Sequence, residues 1–328
     1  MGASSALTIP AHKKELHIIS GSSHRELAGM VAKKLGTELS QVELTHFANG
    51  EIMCKLEESV RGADVFVFQS HFNPVNDAII EQAIIIDACK RASAARITAV
   101  CPLFGYARQD RKSSGREPIA ARLMIDILAT AGANRIVSLN LHSGQIQGFF
   151  SGPFDHLTAL PALAEHLKSK FGTDFVIVSP DTGRVKMAER YATYLGTDLA
   201  IVHKRRVGKN VAEALDVIGD VKGKNCVIID DMIDTAGTMC AAAEQLKKHG
   251  AAKISAVSSH GLFSPPAKER LDNSPINFII VTDTVPQTLK FKNAKLEVVT
   301  VSDLLASAVK AIFEDSSVSA IFGGLNQI

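Results

Sequence analysis

No apolar run in this sequence approaches the roughly 20 residues that a membrane-spanning helix requires. No CxxC pair occurs among the five cysteines, Cys54, Cys89, Cys101, Cys226 and Cys240. Scattered in this way, with Cys54, Cys101 and Cys226 in strand-like apolar runs, they read as buried free thiols of a reducing compartment, not as disulfides or metal ligands. No GxG triplet is present, which removes the dinucleotide-binding fingerprint, and no GxxxxGKS/T, which removes the P-loop. A large charge of one sign is missing too. The net charge of +2 implies neither a nucleic-acid nor a membrane partner. The opening MGASSALTIPAHKK lacks the apolar core of a signal peptide, and Ala6 stands where N-myristoylation needs Ser or Thr. A cytoplasmic location is the expectation.

What is present is length and alternation. The 328 residues suffice for two domains, each with its own core. Strand-like runs are expected at Leu16–Ser20, Asp64–Ser70, Arg96–Cys101, Arg135–Leu141, Phe175–Ser179, Leu199–His203, Asn225–Asp230, Lys253–Ser258 and Phe278–Val281. Many are continuously apolar, as strands buried on both faces should be. Helical stretches lie between them. In Thr235–His249, Met239, Ala242, Ala243 and Leu246 form one apolar stripe, and Gly250 closes it. Strands alternating with helices predict an α/β fold with a mainly parallel sheet. GANRIVSLNLH (Gly132–His142) and GAAKISAVSSH (Gly250–His260) echo one another, which suggests two related halves. The turn-rich Ser151–Pro161 is the expected boundary, dividing residues 1–155 from 156–302. The tail Val301–Asp315 reads as a helix.

The segment CVIIDDMIDTAGT (Cys226–Thr238) carries the most chemistry. An apolar strand ends at Asp230 and Asp231, and a short loop then opens a helix. Backbone N–H groups at a helix start stabilise a phosphate. Thr235 and Thr238 add hydroxyls, and Gly237 permits close approach. Adjacent carboxylates repel a phosphate but suit sugar hydroxyls or Mg²⁺. Phosphate loop and acids together describe a sugar-phosphate site. A simple capped helix, with Asp234 or Thr235 as the cap, would explain one residue of the run. In the first half, the long loop from Cys101 to Glu117 carries Arg108, Arg111, Lys112 and Arg116, a set able to meet a polyphosphate.

DDMIDTAGT resembles the phosphoribosyl pyrophosphate motif shared by type I phosphoribosyltransferases and ribose-phosphate pyrophosphokinases. YARQD, FANGE and NLHSGQIQGFF resemble segments of the pyrophosphokinases, so the likeness runs from about residue 16 to 315. It implies two type I phosphoribosyltransferase-like domains, with part of a C-terminal helix (303–320) joining the first. It also implies transfer of the ATP diphosphoryl group to C1 of ribose 5-phosphate with Mg²⁺, in a homohexamer. On this resemblance Asp230, Asp231, Asp234, Thr235, Ala236, Gly237 and Thr238 bind ribose 5-phosphate. Arg108, Gln109, Asp110 and His142 bind ATP, and Phe47, Asn49 and Glu51 reach the adenine bound to a neighbouring subunit. His142 and Asp181 face the metal, although a strand-end histidine is by itself most often structural. Lys204 and Arg206 of HKRR stabilise the transferring group. Ser59, Arg61 and Gln147 match the family's phosphate and ADP regulatory site. The sequence departs from the family at Asn140, where Asp is usual. It also departs at Ser114, Gly144 and His156, where many members carry Lys, Ser and Asn, and altered regulation is expected. The alternatives are a phosphoribosyltransferase that consumes the same product, and a non-catalytic regulatory relative.

Overall fold

The computed structural model describes residues 14–205 and 214–322. In chain order the first part runs β1 (Leu16–Ser20), α1 (Arg25–Lys34), β2 (Val42–His46), β3 (Ile52–Leu56), β4 (Asp64–Phe68), α2 (Val75–Arg91), β5 (Arg96–Cys101), α3 (Ala120–Ala131), β6 (Arg135–Leu139) and β7 (Phe154–Leu157). It continues with α4 (Leu160–Phe171), β8 (Val176–Ser179), α5 (Val185–Leu195), β9 (Asp198–Arg205), β10 (Ala214–Ile218), β11 (Asn225–Ile233) and α6 (Gly237–Lys248). It ends with β12 (Lys253–Gly261), α7 (Ala267–Asp272), β13 (Phe278–Thr282), β14 (Lys295–Val299) and α8 (Ser302–Phe313).

The first sheet has the order β1-β4-β5-β6-β7, parallel throughout. The second is β10-β9-β8-β11-β12-β13-β14, parallel except for the β9–β10 pair. The α/β class with mainly parallel sheets flanked by helices is therefore the observed one. The physical reason is visible in β4, where all five residues of DVFVF are buried. A strand covered by helices on both faces has no polar side to alternate with.

Both halves share one element order: strand, helix, antiparallel hairpin, strand, helix, strand, helix, strand, strand. In the first the hairpin β2–β3 is a separate two-stranded sheet, and in the second β9 joins the main sheet. The Gly132–His142 and Gly250–His260 likeness does not follow this repeat. It pairs β6 with β12, whereas the strand orders match β6 with β13 and β5 with β12. The repeat is real, but the short likeness was a poor guide to its register. The Ser151–Pro161 segment holds β7, an edge strand of the first sheet, so a division at 155/156 falls within β7.

One buried apolar cluster joins the two sheets. It takes Ile18, Phe66 and Val137 from the first, Ile177, Val227 and Ile280 from the second, and Leu163, Tyr191 and Val309 from α4, α5 and α8. Separate clusters cover each sheet's other face, under α2 and α3 in one case and α6 and α7 in the other. Helix α8 follows the second sheet but is tied to the first. Asp315 pairs with Lys14 at 2.9 Å and Arg96 at 2.6 Å, and Arg96 also grips the buried Asp64. The carboxyl ends of β6 and β11 thereby meet, and crevices at such strand ends are where open α/β sheets bind ligands.

Cys89, Cys101 and Cys226 are buried as expected, while Cys54 and Cys240 are only partly so. Burial raises the thiol of Cys101 to about 12 and that of Cys226 to about 11, which leaves them un-ionised. Among the described residues, no helix is long and apolar enough to cross a membrane.

Candidate active site

Asp230 and Asp231 lie inside β11, which continues to Ile233 instead of ending at the two acids as expected. The pairing of Met232 with His260 on β12 accounts for the extension. The loop that follows enters α6 with Ala236 as N-cap, in the left-handed region at φ 59°, and no side chain caps the helix. Neither Asp234 nor Thr235 takes the capping role. The first N–H groups of α6 thus lack a side-chain acceptor from the cap, which suits an incoming anion. Gly237 is the first residue of the helix, and a Cβ there would come within 3.2 Å of Arg270 Nη1. Arg270, on α7, donates to the Thr235 carbonyl at 2.9 Å. This residue braces the loop and carried no signal in the sequence, because only the fold brings α7 to it.

Two acids held this close cannot behave alike. Burial raises the Asp230 pKa, and the neighbouring Asp231 raises it further. Burial acts upward on Asp231 as well, but the hydrogen bond with His142, Asp230 and the Arg184 charge together bring it below the usual carboxylate range. His142 Nδ1 is 2.8 Å from Asp231 Oδ2, so the histidine of the first half and the acid of the second are in contact. His260 helps to fix this junction. Its Nε2–H donates to the Leu139 carbonyl at 3.1 Å, while Nδ1 accepts from Thr284 at 2.8 Å.

Arg108 also crosses between halves, with Nη2 at 2.8 Å from Asp234. Gln109 is exposed and Asp110 half-buried in the same β5–α3 loop. A cavity of about 570 Å³ beside Arg108 is lined by Phe104, Tyr106, Gln109, Met232 and Asp234, among others. A second, of about 820 Å³, lies beside Arg108, Asp110, His142 and Arg184. Asp181 caps the turn before α5, its Oδ1 accepting from the Gly183 and Arg184 amides at 2.8 and 3.1 Å.

Other expected positions are not gathered here. Phe47, Asn49 and Glu51 form the tip of the β2–β3 hairpin, with Phe47 57% exposed, and line neither cavity. Ser59 and Arg61 are exposed before β4, while Gln147 donates to the Gly144 carbonyl at 3.0 Å. Among the described residues, no hydrogen bond or ion pair joins these three. Lys204 lies on β9 opposite Leu215, its side chain outside the description, and Arg206 lies outside the described residues.

The departures have local explanations. Asn140 sits at φ 41°, a left-handed conformation that asparagine tolerates better than most residues. Its Oδ1 accepts from the Ala159 amide at 2.7 Å, so the side chain serves the junction before α4. Asn140→Asp keeps that acceptor, and Mg²⁺ activation curves of the variant and the natural protein should overlay. A shift of about tenfold would instead place this side chain behind a metal ligand. His156 is buried on β7 and its Nε2 accepts from the Leu141 amide at 2.8 Å. Ser114 donates to Glu117 at 2.7 Å.

Parallel sheets, a strand carrying paired acids and an uncapped helix start define an α/β protein whose strand–loop–helix turn suits an anion. Residues 16–132 match the family model described as the N-terminal domain of ribose phosphate pyrophosphokinase, and residues 206–323 match the phosphoribosyl synthetase-associated domain. The ribose-phosphate pyrophosphokinase of Streptomyces coelicolor is 49% identical over 314 residues, covering 94% of this chain and 97% of its own. That of Bifidobacterium longum is 50% identical over 315 residues, covering 94% and 93%. The crystal structure of phosphoribosylpyrophosphate synthetase from Mycobacterium smegmatis superposes with a TM-score of 0.87 at 47% identity, covering 92% of this chain and 100% of that one. The chain belongs to the ribose-phosphate pyrophosphokinase family of diphosphate-transferring enzymes.

Proposed function

We propose that this chain transfers the diphosphoryl group of ATP to the C1 hydroxyl of ribose 5-phosphate, giving 5-phosphoribosyl 1-diphosphate and AMP for nucleotide biosynthesis. The observation that carries this reading is the meeting of His142 and Arg108, from the first half, with Asp231 and Asp234, from the second, at 2.8 Å in each case. A phosphoribosyltransferase needs the loop of the second half alone. Here that loop opens onto a basic segment from a different sheet.

The 5-phosphate is assigned to the loop from Asp234 to Thr238, and the ribose hydroxyls to Asp230 and Asp231. Arg108, Gln109 and Asp110 take the nucleotide, with Phe47, Asn49 and Glu51 of a neighbouring subunit in a cytoplasmic homohexamer. The exposure of Phe47 suits a contact of that kind. His142 and Asp181 would hold Mg²⁺. Among the described residues, no group of three or more His, Cys, Asp or Glu is arranged to hold a metal ion. A cation held by these two residues would take its remaining ligands from phosphate oxygens and water. When bound, Mg²⁺ neutralises phosphate charge. Lys204 and Arg206 are assigned to the negative charge that develops as AMP departs. Alignment of the C1 oxygen with the β-phosphorus does most of the remaining work, and no strong base is needed. Ser59, Arg61 and Gln147 are proposed as an effector site, with altered regulation because His156 is turned into the core.

The deciding assay mixes the protein with ATP, Mg²⁺ and ribose 5-phosphate and follows AMP. Stoichiometric AMP that depends on ribose 5-phosphate is the expected result. Diphosphate release that depends on a nucleobase would replace this reading with that of a phosphoribosyltransferase, and no turnover by folded protein would leave a regulatory relative.

A further inference from the structure

Arg184 stands at the start of α5, directed by the Asp181 cap back across the strand ends. Its Nε is 3.0 Å from Asp230 Oδ1, and its Nη2 is 3.0 Å from Asp231 Oδ1. Nη2 is also 2.6 Å from His142 Nδ1, and Nη1 donates to the His142 carbonyl at 3.4 Å. One guanidinium therefore occupies both acids assigned to the ribose hydroxyls, and it meets the ATP-side histidine through its backbone carbonyl.

Accessibility decides whether it can stay there. A carboxylate has spare lone pairs and could accept a hydroxyl beside an arginine. The hydroxyl oxygen must still come within about 2.8 Å. With Arg184 in place the Asp231 side chain is 1% exposed and that of Asp230 13%, so a sugar has no route to Asp231. Something in the cluster has to move. His142 is carried by the end of β6, which His260 holds from the other half. Arg184 has the longer and freer side chain, and it has somewhere to go. It borders the 820 Å³ cavity together with Arg108, Arg111, Lys186 and Arg190. A polyphosphate there offers the paired oxygens that a guanidinium prefers.

We propose that Arg184 is an exchange residue: it closes the ribose acids in the empty site and passes its guanidinium to the nucleotide diphosphate, so that filling the cavity opens the sugar site. The proposal rests on the assignment of Asp230 and Asp231 to ribose. It gives Arg184 two jobs in sequence, exclusion of the sugar and then orientation of the group that is transferred.

Titration calorimetry on the full chain tests it, with ribose 5-phosphate added alone or after Mg²⁺ and α,β-methylene ATP. In the natural protein the analogue should tighten sugar binding at least about tenfold, an ordinary coupling between sites. Arg184→Gln should bind ribose 5-phosphate alone at least about fivefold more tightly than the natural protein, lose most of the enhancement and turn over more slowly. Damage to the fold does not produce tighter binding. Equal or weaker binding by Arg184→Gln without nucleotide overturns the exchange. Should that variant fail to melt cooperatively, Arg184→Lys carries the same comparison, because one ammonium cannot meet both acids and the His142 carbonyl. Unchanged binding there is equally fatal. Asp230→Asn separates the two claims. Loss of sugar binding supports the ribose assignment, and natural affinity in that variant removes the assignment along with the exchange.

Discussion

Asp231→Asn should lower kcat/KM for ribose 5-phosphate by about 10²–10³ while the protein remains folded. The substitution keeps the shape of a side chain that is 1% exposed and changes only its charge and one acceptor. Both oxygens have roles in the empty site, Oδ2 toward His142 at 2.8 Å and Oδ1 toward Arg184 at 3.0 Å. An amide has one acceptor and one donor group, so its NH₂ must face one of these partners. On the proposed reading the same oxygens later accept sugar hydroxyls. Hydrogen bonds to a charged acceptor contribute about 1.5–3 kcal/mol each, and losing one outright while the other weakens to a neutral acceptor reaches the stated factor. Steady-state kinetics with calorimetric sugar binding would measure it. A change below about fivefold in both would remove Asp231 from the site.

Acid should destabilise the protein before its carboxylates titrate, because buried histidines are held uncharged, His71, His156 and His260 among them. Burial lowers His71 to about 4, opposed by its bond to Gln82, and lowers His156 to about 4, with Arg190 adding to the effect. His71 cannot gain a proton without loss, since its Nε2–H donates to Gln82 at 2.8 Å and its Nδ1 accepts from the Gly105 amide at 3.0 Å. An unfolded histidine titrates near 6.5, so as pH falls the unfolded chain takes up protons first. Each ring's contribution is full above about 6.5 and is lost as pH falls toward 4, on the order of 3 kcal/mol per ring over the window. Thermal melts at pH 7 and pH 5 should show a clear drop. His156→Asn should reduce that drop by removing one of these groups. Equal melting temperatures at the two pH values would show that these rings are not held neutral.

Most of the strands read correctly from sequence were those buried on both faces, such as β4 and β5. Their apolar runs are local and need no partner to be seen. The missed strands were β7, β10 and β14, which lie at sheet edges. An edge strand such as FDHL in β7 is a strand only because β6 offers it hydrogen bonds. The same division runs through the site. DDMIDTAGT was legible because acids, a turn and a helix start are neighbours in the chain. Arg270, His260 and Arg184 were silent because their partners lie 35, 121 and 42 residues away, respectively.

The sequence by itself determined the α/β class, the strand–loop–helix turn with its paired acids, and the family that these motifs resemble. Local chemistry and short spacing are enough for each. Only the tertiary structure decided that His142 would touch Asp231, that Arg184 would lie across both acids, and that Asn140 would serve the backbone. Those outcomes depend on how two sheets pack around a shared apolar core, and packing brings together residues that no spacing along the chain connects.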